Sequence, residues 1–328
     1  MALPTNTSGG TRLAHTARKG VFAASALALM SCGMPMPDRS AGARPSPPAA
    51  APQAAEVSAS TESQALTDYY ARLQRHLLAQ GLLRTDGGGP DTPFTDTDLA
   101  RNFVRIALFN EYSERGTFAA QQETISSLRR WDNPIRMQLV FDDSLPAAIR
   151  AQDRAEVESF TTRLSELTKT QITLTDDEPN FHLLFLSEDS RLAFGPQLKQ
   201  MIPNLPDSTI AALVDLPDDQ LCVVVATFEP GRSTYDKALA IIRTEHPRLM
   251  RQACIHEELA QGMGLANDSP QARPSIFNDD EEFAFLTNHD MLLLQMLYDP
   301  RLQPGMTAAQ AAPIARQIAR DYMTAGNS

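Results

Sequence analysis

The chain has 328 residues, 42% of them hydrophobic, and a formal net charge of −11. That supplies enough apolar side chain for a substantial buried core. With 40 Asp and Glu against 29 Lys and Arg, and no cluster of cations, it excludes nucleic acid as a partner, because phosphate binding needs such clusters.

The first 31 residues carry Arg12, Arg18 and Lys19 and no acid, followed by the apolar run Val21 to Met30. A basic stretch followed by about ten apolar residues reads as a secretory leader, too short to span a bilayer as a mature helix. The run ends in Leu29-Met30-Ser31-Cys32, which resembles the lipobox of bacterial lipoproteins. That resemblance implies cleavage before Cys32, acylation of Cys32, and a cell-envelope protein held to a membrane by its lipid and facing the periplasm. Gly33 carries no inner-membrane retention signal of the Asp type, so the outer membrane is the favoured address. Cleavage leaves 26 Lys and Arg against the same 40 acids, a net charge of −14. Residues 32–60 hold six prolines amid alanine and serine and read as a disordered tether. No second linker or repeat follows, so 61–328 is expected to be one domain.

Thr61 to Gln64 has the form of a capping box opening a helix toward Gly81, with Leu66, Tyr69, Tyr70, Leu73 and Leu77 on its apolar face. Asp96 or Asp98 starts a second helix, placing Leu99, Phe103, Ile106 and Asn110 on one side. Arg136 to Phe141 reads as a strand, after the turn at Asn133-Pro134. Pro146 opens a long helix carrying Val157, Phe160, Leu164 and Leu167. Ile172 to Leu174, Phe181 to Leu186, Leu221 to Phe228 and Ala238 to Ile242 are further strands. A helix from Pro247 to Gly264 follows, then one with Leu293, Leu294 and Leu297, and an amphipathic helix from Thr307. The expected class is α+β with a mixed, twisted sheet and extra N- and C-terminal helices.

The chemistry concentrates in Cys254 to Ser269. His256-Glu257 starts an H-E-x-x-H pattern that fails at Ala260. Shifted by one, Glu257, Glu258, Gln261, Gly264 and Asn267 fall on the offsets of H-E-x-x-H-x-x-G-x-x-H, and so resemble the metzincin zinc proteases. Residues four apart share a helical face and can meet at one ion, while the glycine turns the chain to bring in a third ligand. Here Gly264 and the general-base position Glu258 are kept, and the three histidine positions hold Glu257, Gln261 and Asn267. Leu286 to Tyr298 is similar to the helix that follows the metzincin site. Pro274 to Asp280 has no methionine where those proteases place their Met-turn.

A closer resemblance is to an uncharacterised family, the domain of unknown function numbered 2927. It rests on Arg130-Trp131, Cys222, Cys254-x-x-Glu257-Glu258-x-x-Gln261-x-x-Gly264-Leu265, Asn267-Asp268, Pro274 to Asp279, and Tyr298 to Met306, over about residues 100–310. That family brings no activity with it. The metzincin resemblance implies a zincin-like fold with a central active-site-type helix.

One carboxylate and two amides make a poor zinc cage. The same oxygens, with Glu258, Asp268, Asp279 and Asp280 nearby in sequence, suit a hard cation such as calcium. A third reading gives Gln261 and Asn267 hydrogen bonds that lock helix, turn and loop. The expectation is therefore a lipoprotein with substituted zinc ligands, acting as a binding or accessory protein for an envelope protein or peptide. Two alternatives stand beside it. One is a metallohydrolase with an oxygen-rich site and Glu258 as general base; the other is a calcium-stabilised structural lipoprotein. No cofactor is assigned; zinc and calcium are the ions in question.

His256 lies about 100° from Glu257 around the helix and reads as a structural histidine. His289 is expected to serve as a cap or surface residue, His182 to pack in its strand, and His76 and His246 to lie on the surface. Cys222 and Cys254 are the cysteines left after Cys32, and an oxidising compartment makes them a candidate disulfide, with two separate buried thiols as the alternative. Trp131 is expected to anchor the core where the chain enters the sheet.

Overall fold

The computed structural model of the protein describes residues 59–112, 121–278 and 280–325. The stretch expected to be leader, Cys32, the expected tether as far as residue 58, and Asp279 lie outside the described residues. Helix α1 (Thr61–Ala79) is capped by Ser60, whose hydroxyl accepts the Ser63 N–H, one residue before the expected Thr61. Helix α2 (Asp96–Ala107) opens on a reciprocal capping box between Thr95 and Asp98. Next come β1 (Phe109–Tyr112) and β2 (Gln121–Ile125), an antiparallel ribbon that the sequence reading did not anticipate. Asn110, expected on the apolar side of α2, belongs to β1.

The next elements lie within a residue or two of expectation: β3 (Ile135–Phe141), α3 (Ala147–Thr168), β4 (Ile172–Leu174) and β5 (Phe181–Leu186). Three unanticipated short helices follow, α4 (Glu188–Ala193), α5 (Gly195–Met201) and α6 (Asp207–Val214). The chain then forms β6 (Cys222–Phe228), β7 (Tyr235–Arg243), α7 (Arg248–Gly262), α8 (Asn288–Leu297) and α9 (Ala308–Ala325).

Strands β3 to β7 make one five-stranded mixed sheet in the order β4-β3-β5-β7-β6. The first four run parallel, and the edge strand β6 is antiparallel to β7. Crossovers between parallel strands lay helices over the sheet, so its central strands must be apolar on both faces. All six residues of β5 are buried accordingly. Phe181, Leu183 and Phe185 join Ala238, Ala240 and Ile242 of β7 in the main core, packed with side chains of α2, α3, α7, α8 and α9. Leu184 and Leu186 point the other way, joining Leu239 and Ile241 in a second core with Leu198 of α5 and Leu213 of α6. The period of two along each strand thus serves two cores. Leu66, Tyr70 and Leu77 of α1 form a third, smaller core with Leu83, Met250 and Ala284, whereas Tyr69 is 39% exposed. Among the described residues no helix is long and apolar enough to cross a membrane.

Candidate functional site

Helix α7 carries the motif and is fastened from several directions. The Cys222–Cys254 disulfide joins it to β6, with Cα atoms 5.9 Å apart. Arg251 pairs with buried Asp153 of α3 at 2.9 Å and also donates to the His246 carbonyl. Gln252 donates to Glu156 at 2.7 Å. At its far end, the indole of Trp131 donates to the Gly262 carbonyl, so the expected core anchor acts on the motif helix itself. Gly264 turns the chain with φ +123°, and a Cβ there would lie 2.4 Å from the Arg129 carbonyl oxygen.

The motif positions separate into two groups. Glu257 is half-buried, with Oε2 3.9 Å from the Cys222 sulfur. A disulfide sulfur has no proton to donate, so this is a contact and not a hydrogen bond. Glu258 is buried beside them, and ligand atoms of Cys222, Glu257 and Glu258 lie within 4.8 Å of one another. Gln261 and Asn267 meet at Asp268. The Gln261 amide donates to Asp268 Oδ1 at 3.2 Å. The Asn267 amide donates to the Arg105 carbonyl at 3.0 Å and the Asp268 carbonyl at 2.8 Å. The Asn267 N–H also reaches the Ile106 carbonyl, which fixes the post-helix loop to the end of α2.

Beside Glu257 opens a cleft whose polar wall is Glu257, Asp268, Asn278 and Glu281, with Ile276, Phe283 and Ala284 among its apolar residues. Of the acids expected near the site, Asp268 lines this cleft. Asp280 instead accepts the Glu282 N–H at 2.9 Å, and Asp279 lies outside the described residues. Asn278 entered the sequence reading only within the Pro274 to Asp279 stretch and not as a site residue, and Glu281 was missed. The run of acids at 279 and 280 indicated the loop, but a left-handed Glu281 (φ +56°) has no sequence signature when the residue is not glycine.

The cleft loop is held from outside by the segment after α1. The N–H groups of Leu83 and Arg84 donate to the carbonyls of Glu281 and Glu282, and that of Ala284 donates to Arg84, each at 2.8 Å. The Arg84 guanidinium pairs with Asp91, Asp86 and Glu282, and Arg273 also pairs with Glu282.

No described histidine lines the cleft. His256 is the structural histidine expected. It stacks between Phe160 and Phe285, and its Nδ1 accepts the Leu286 N–H at 3.1 Å. That leaves the ring proton on Nε2, facing Glu156 at 3.4 Å. Burial holds its pKa below the usual histidine value, against the opposing pull of Glu156. His182 packs in β5 against Gln138, and burial with the charge of Lys237 lowers it to about 4.

Two expectations for histidines are corrected. His289 is neither a surface residue nor a cap: it is fully buried, with Nε2 3.1 Å from the Asn102 amide and the ring edge-on to Phe94. His246 is 1% exposed, because α1 folds over it and places Tyr70 edge-on at 4.3 Å. Burial, with Arg243 and Arg251 nearby, lowers its pKa to about 3.

Carboxylates and amide oxygens without imidazole do not fit a zinc ion in the arrangement the metzincin offsets imply. They suit a hard cation or a cationic side chain. A family model described as Protein of unknown function (DUF2927) matches residues 96–317. No curated protein and no solved structure matches the chain.

Proposed function

This chain belongs to the family described as Protein of unknown function (DUF2927), and on that premise we propose a non-catalytic binding role in the cell envelope. In this reading the fold is zincin-like, Cys32 carries the lipid anchor, and the positions that would hold zinc serve other ends. The observation that carries it is the use of the Gln261 and Asn267 side chains. Both amides donate inward, to Asp268 and to the end of α2, and so act as fasteners of helix, turn and loop. The ligand class is a cationic group, such as a Lys or Arg side chain of an envelope protein or peptide, entering the cleft walled by Glu257, Asp268 and Glu281.

Elemental analysis of the purified mature chain tests this directly: sub-stoichiometric zinc is expected, and no peptide cleavage that Glu258→Gln removes. Tight zinc together with Glu258-dependent cleavage would establish the metallohydrolase reading in its place. The anchor is tested by Cys32→Ser, which should abolish acylation and release the chain from membranes. A second reading, a calcium-stabilised lipoprotein, is favoured by the all-oxygen wall that Asn278 completes. Stoichiometric calcium in the same analysis would select it.

A further inference from the structure

The disulfide and the two motif glutamates share one small region. Cys222 Sγ and one carboxylate oxygen from each of Glu257 and Glu258 lie within 4.8 Å of one another. Cys254 is bonded to Cys222 and precedes Glu257 and Glu258 by three and four residues on α7, so it shares their side of the helix. While the sulfurs are bonded to each other, neither is a thiolate, and the thiolate is the form that binds metal.

We propose that reduction of Cys222–Cys254 turns this region into a site for a thiophilic divalent cation, zinc foremost, with Cys222, Cys254, Glu257 and Glu258 as ligands. The reductant is a dithiol. One of its thiolates attacks a protein sulfur and breaks the S–S bond, forming a mixed disulfide. Its second sulfur then displaces the protein sulfur, leaving two protein thiols and the dithiol oxidised to a disulfide. Zinc binding releases the two thiol protons to solvent.

Two sulfurs and two oxygens complete the four-coordinate shell of a closed zinc site. Zn–S and Zn–O bonds of about 2.3 and 2.0 Å put sulfur and oxygen ligands roughly 3.5 Å apart, against 3.9 Å here between Cys222 and Glu257. Two zinc-bound thiolates sit roughly 3.8 Å apart, which side-chain rotation reaches from Cα atoms at 5.9 Å. The cleft beside Glu257 gives the ion an approach. This ligand set differs from the Glu257, Gln261 and Asn267 positions, and it stands whether or not the cleft binds a cationic partner.

The test is a Co²⁺ titration of the full mature chain, oxidised and phosphine-reduced, read by the thiolate-to-cobalt charge-transfer band. The reduced chain should bind one ion, displaceable by Zn²⁺, and the oxidised chain none. Glu257→Gln should weaken binding on the order of tenfold or more. Equal binding by both redox forms would overturn the proposal. So would unchanged affinity in Glu257→Gln/Glu258→Gln, which would leave two thiols as the only ligands. Should reduction loosen the fold, Zn²⁺ must raise the unfolding midpoint of the reduced chain, since a ligand of the folded state stabilises it; no rise also overturns it.

Discussion

The indole Nε1 of Trp131 donates to the carbonyl of Gly262 at 2.8 Å. It thereby ties the chain entering the sheet to the last turn of the motif helix. The same crossing explains two glycines. At Gly262 a Cβ would sit 2.8 Å from the Phe181 ring, and at Gly264 one would meet the Arg129 backbone. Trp131 is also the only tryptophan in the chain, so its fluorescence reports on this junction.

Gly264→Ala should therefore be costly, because the position combines positive φ with a missing side chain that the neighbouring backbone requires. A loss of about 2–4 kcal/mol is expected, measured by urea unfolding followed through Trp131. A loss under about 1 kcal/mol would mean that the turn relaxes without strain.

Asp153→Asn should destabilise by about 3–5 kcal/mol, since it strands the Arg251 charge in the core. Both side chains of this pair are almost fully buried. Replacing both residues with apolar ones, Asp153→Leu/Arg251→Met, should cost much less. Equal losses for single and double variants would show that packing, not the stranded charge, sets the effect.

Acidification should weaken the fold through its buried histidines. His246 and His182 have folded-state pKa values lowered to about 3 and about 4, from about 6.5 in the unfolded chain. Between those limits the unfolded state binds more protons, so stability falls as pH falls. The slope is up to roughly 1.4 kcal/mol per pH unit for each histidine. Glu245, raised by burial, works in the opposite sense. The comparison is therefore parent against His246→Phe, which should show a shallower slope from pH 6.5 down to about 4.5. Parallel curves would remove His246 from the account.

Changing Glu257, Gln261 and Asn267 together to His should create a three-imidazole zinc site beside Glu258. The variant forfeits the amide bonds to Asp268 and Arg105, so it should be less stable without metal and gain zinc affinity by orders of magnitude. Calorimetric titration decides. A folded variant with parental zinc affinity would mean that these positions do not converge, and would end the metzincin analogy.

The legible parts of the fold were those with a strong period or a strong punctuation mark. The both-faces-apolar run Phe181–Leu186, the Pro146 helix start and the Thr307/Gln310 helix start all appear where the sequence puts them. The ribbon β1–β2 and helices α4 to α6 were not legible. These elements are short, and the three helices are held by distant partners, such as Arg191 of α4 reaching the carbonyls of Leu213 and Val214. At the site, the motif offsets drew attention to Gly264, which turns the chain at φ +123°, and the count of two cysteines after Cys32 made Cys222 and Cys254 the candidate pair that the structure joins. His246 was misread because its neighbours Glu245 and Pro247 look like a surface turn. What buries it is Tyr70, 176 positions earlier in the chain.

Helix α1 and the segment that follows it also have a mechanical meaning. Any load entering at Ser60 reaches α1 first, which is secured by the Ser63–Glu245 and Tyr70–Asp218 hydrogen bonds. Beyond them the same stretch of chain is stitched to the loop bearing Glu281 by three backbone bonds and the Arg84–Glu282 pair. The start of α1 and the cleft wall are thus connected in series, and a pull strong enough to peel α1 away would next bear on the wall itself.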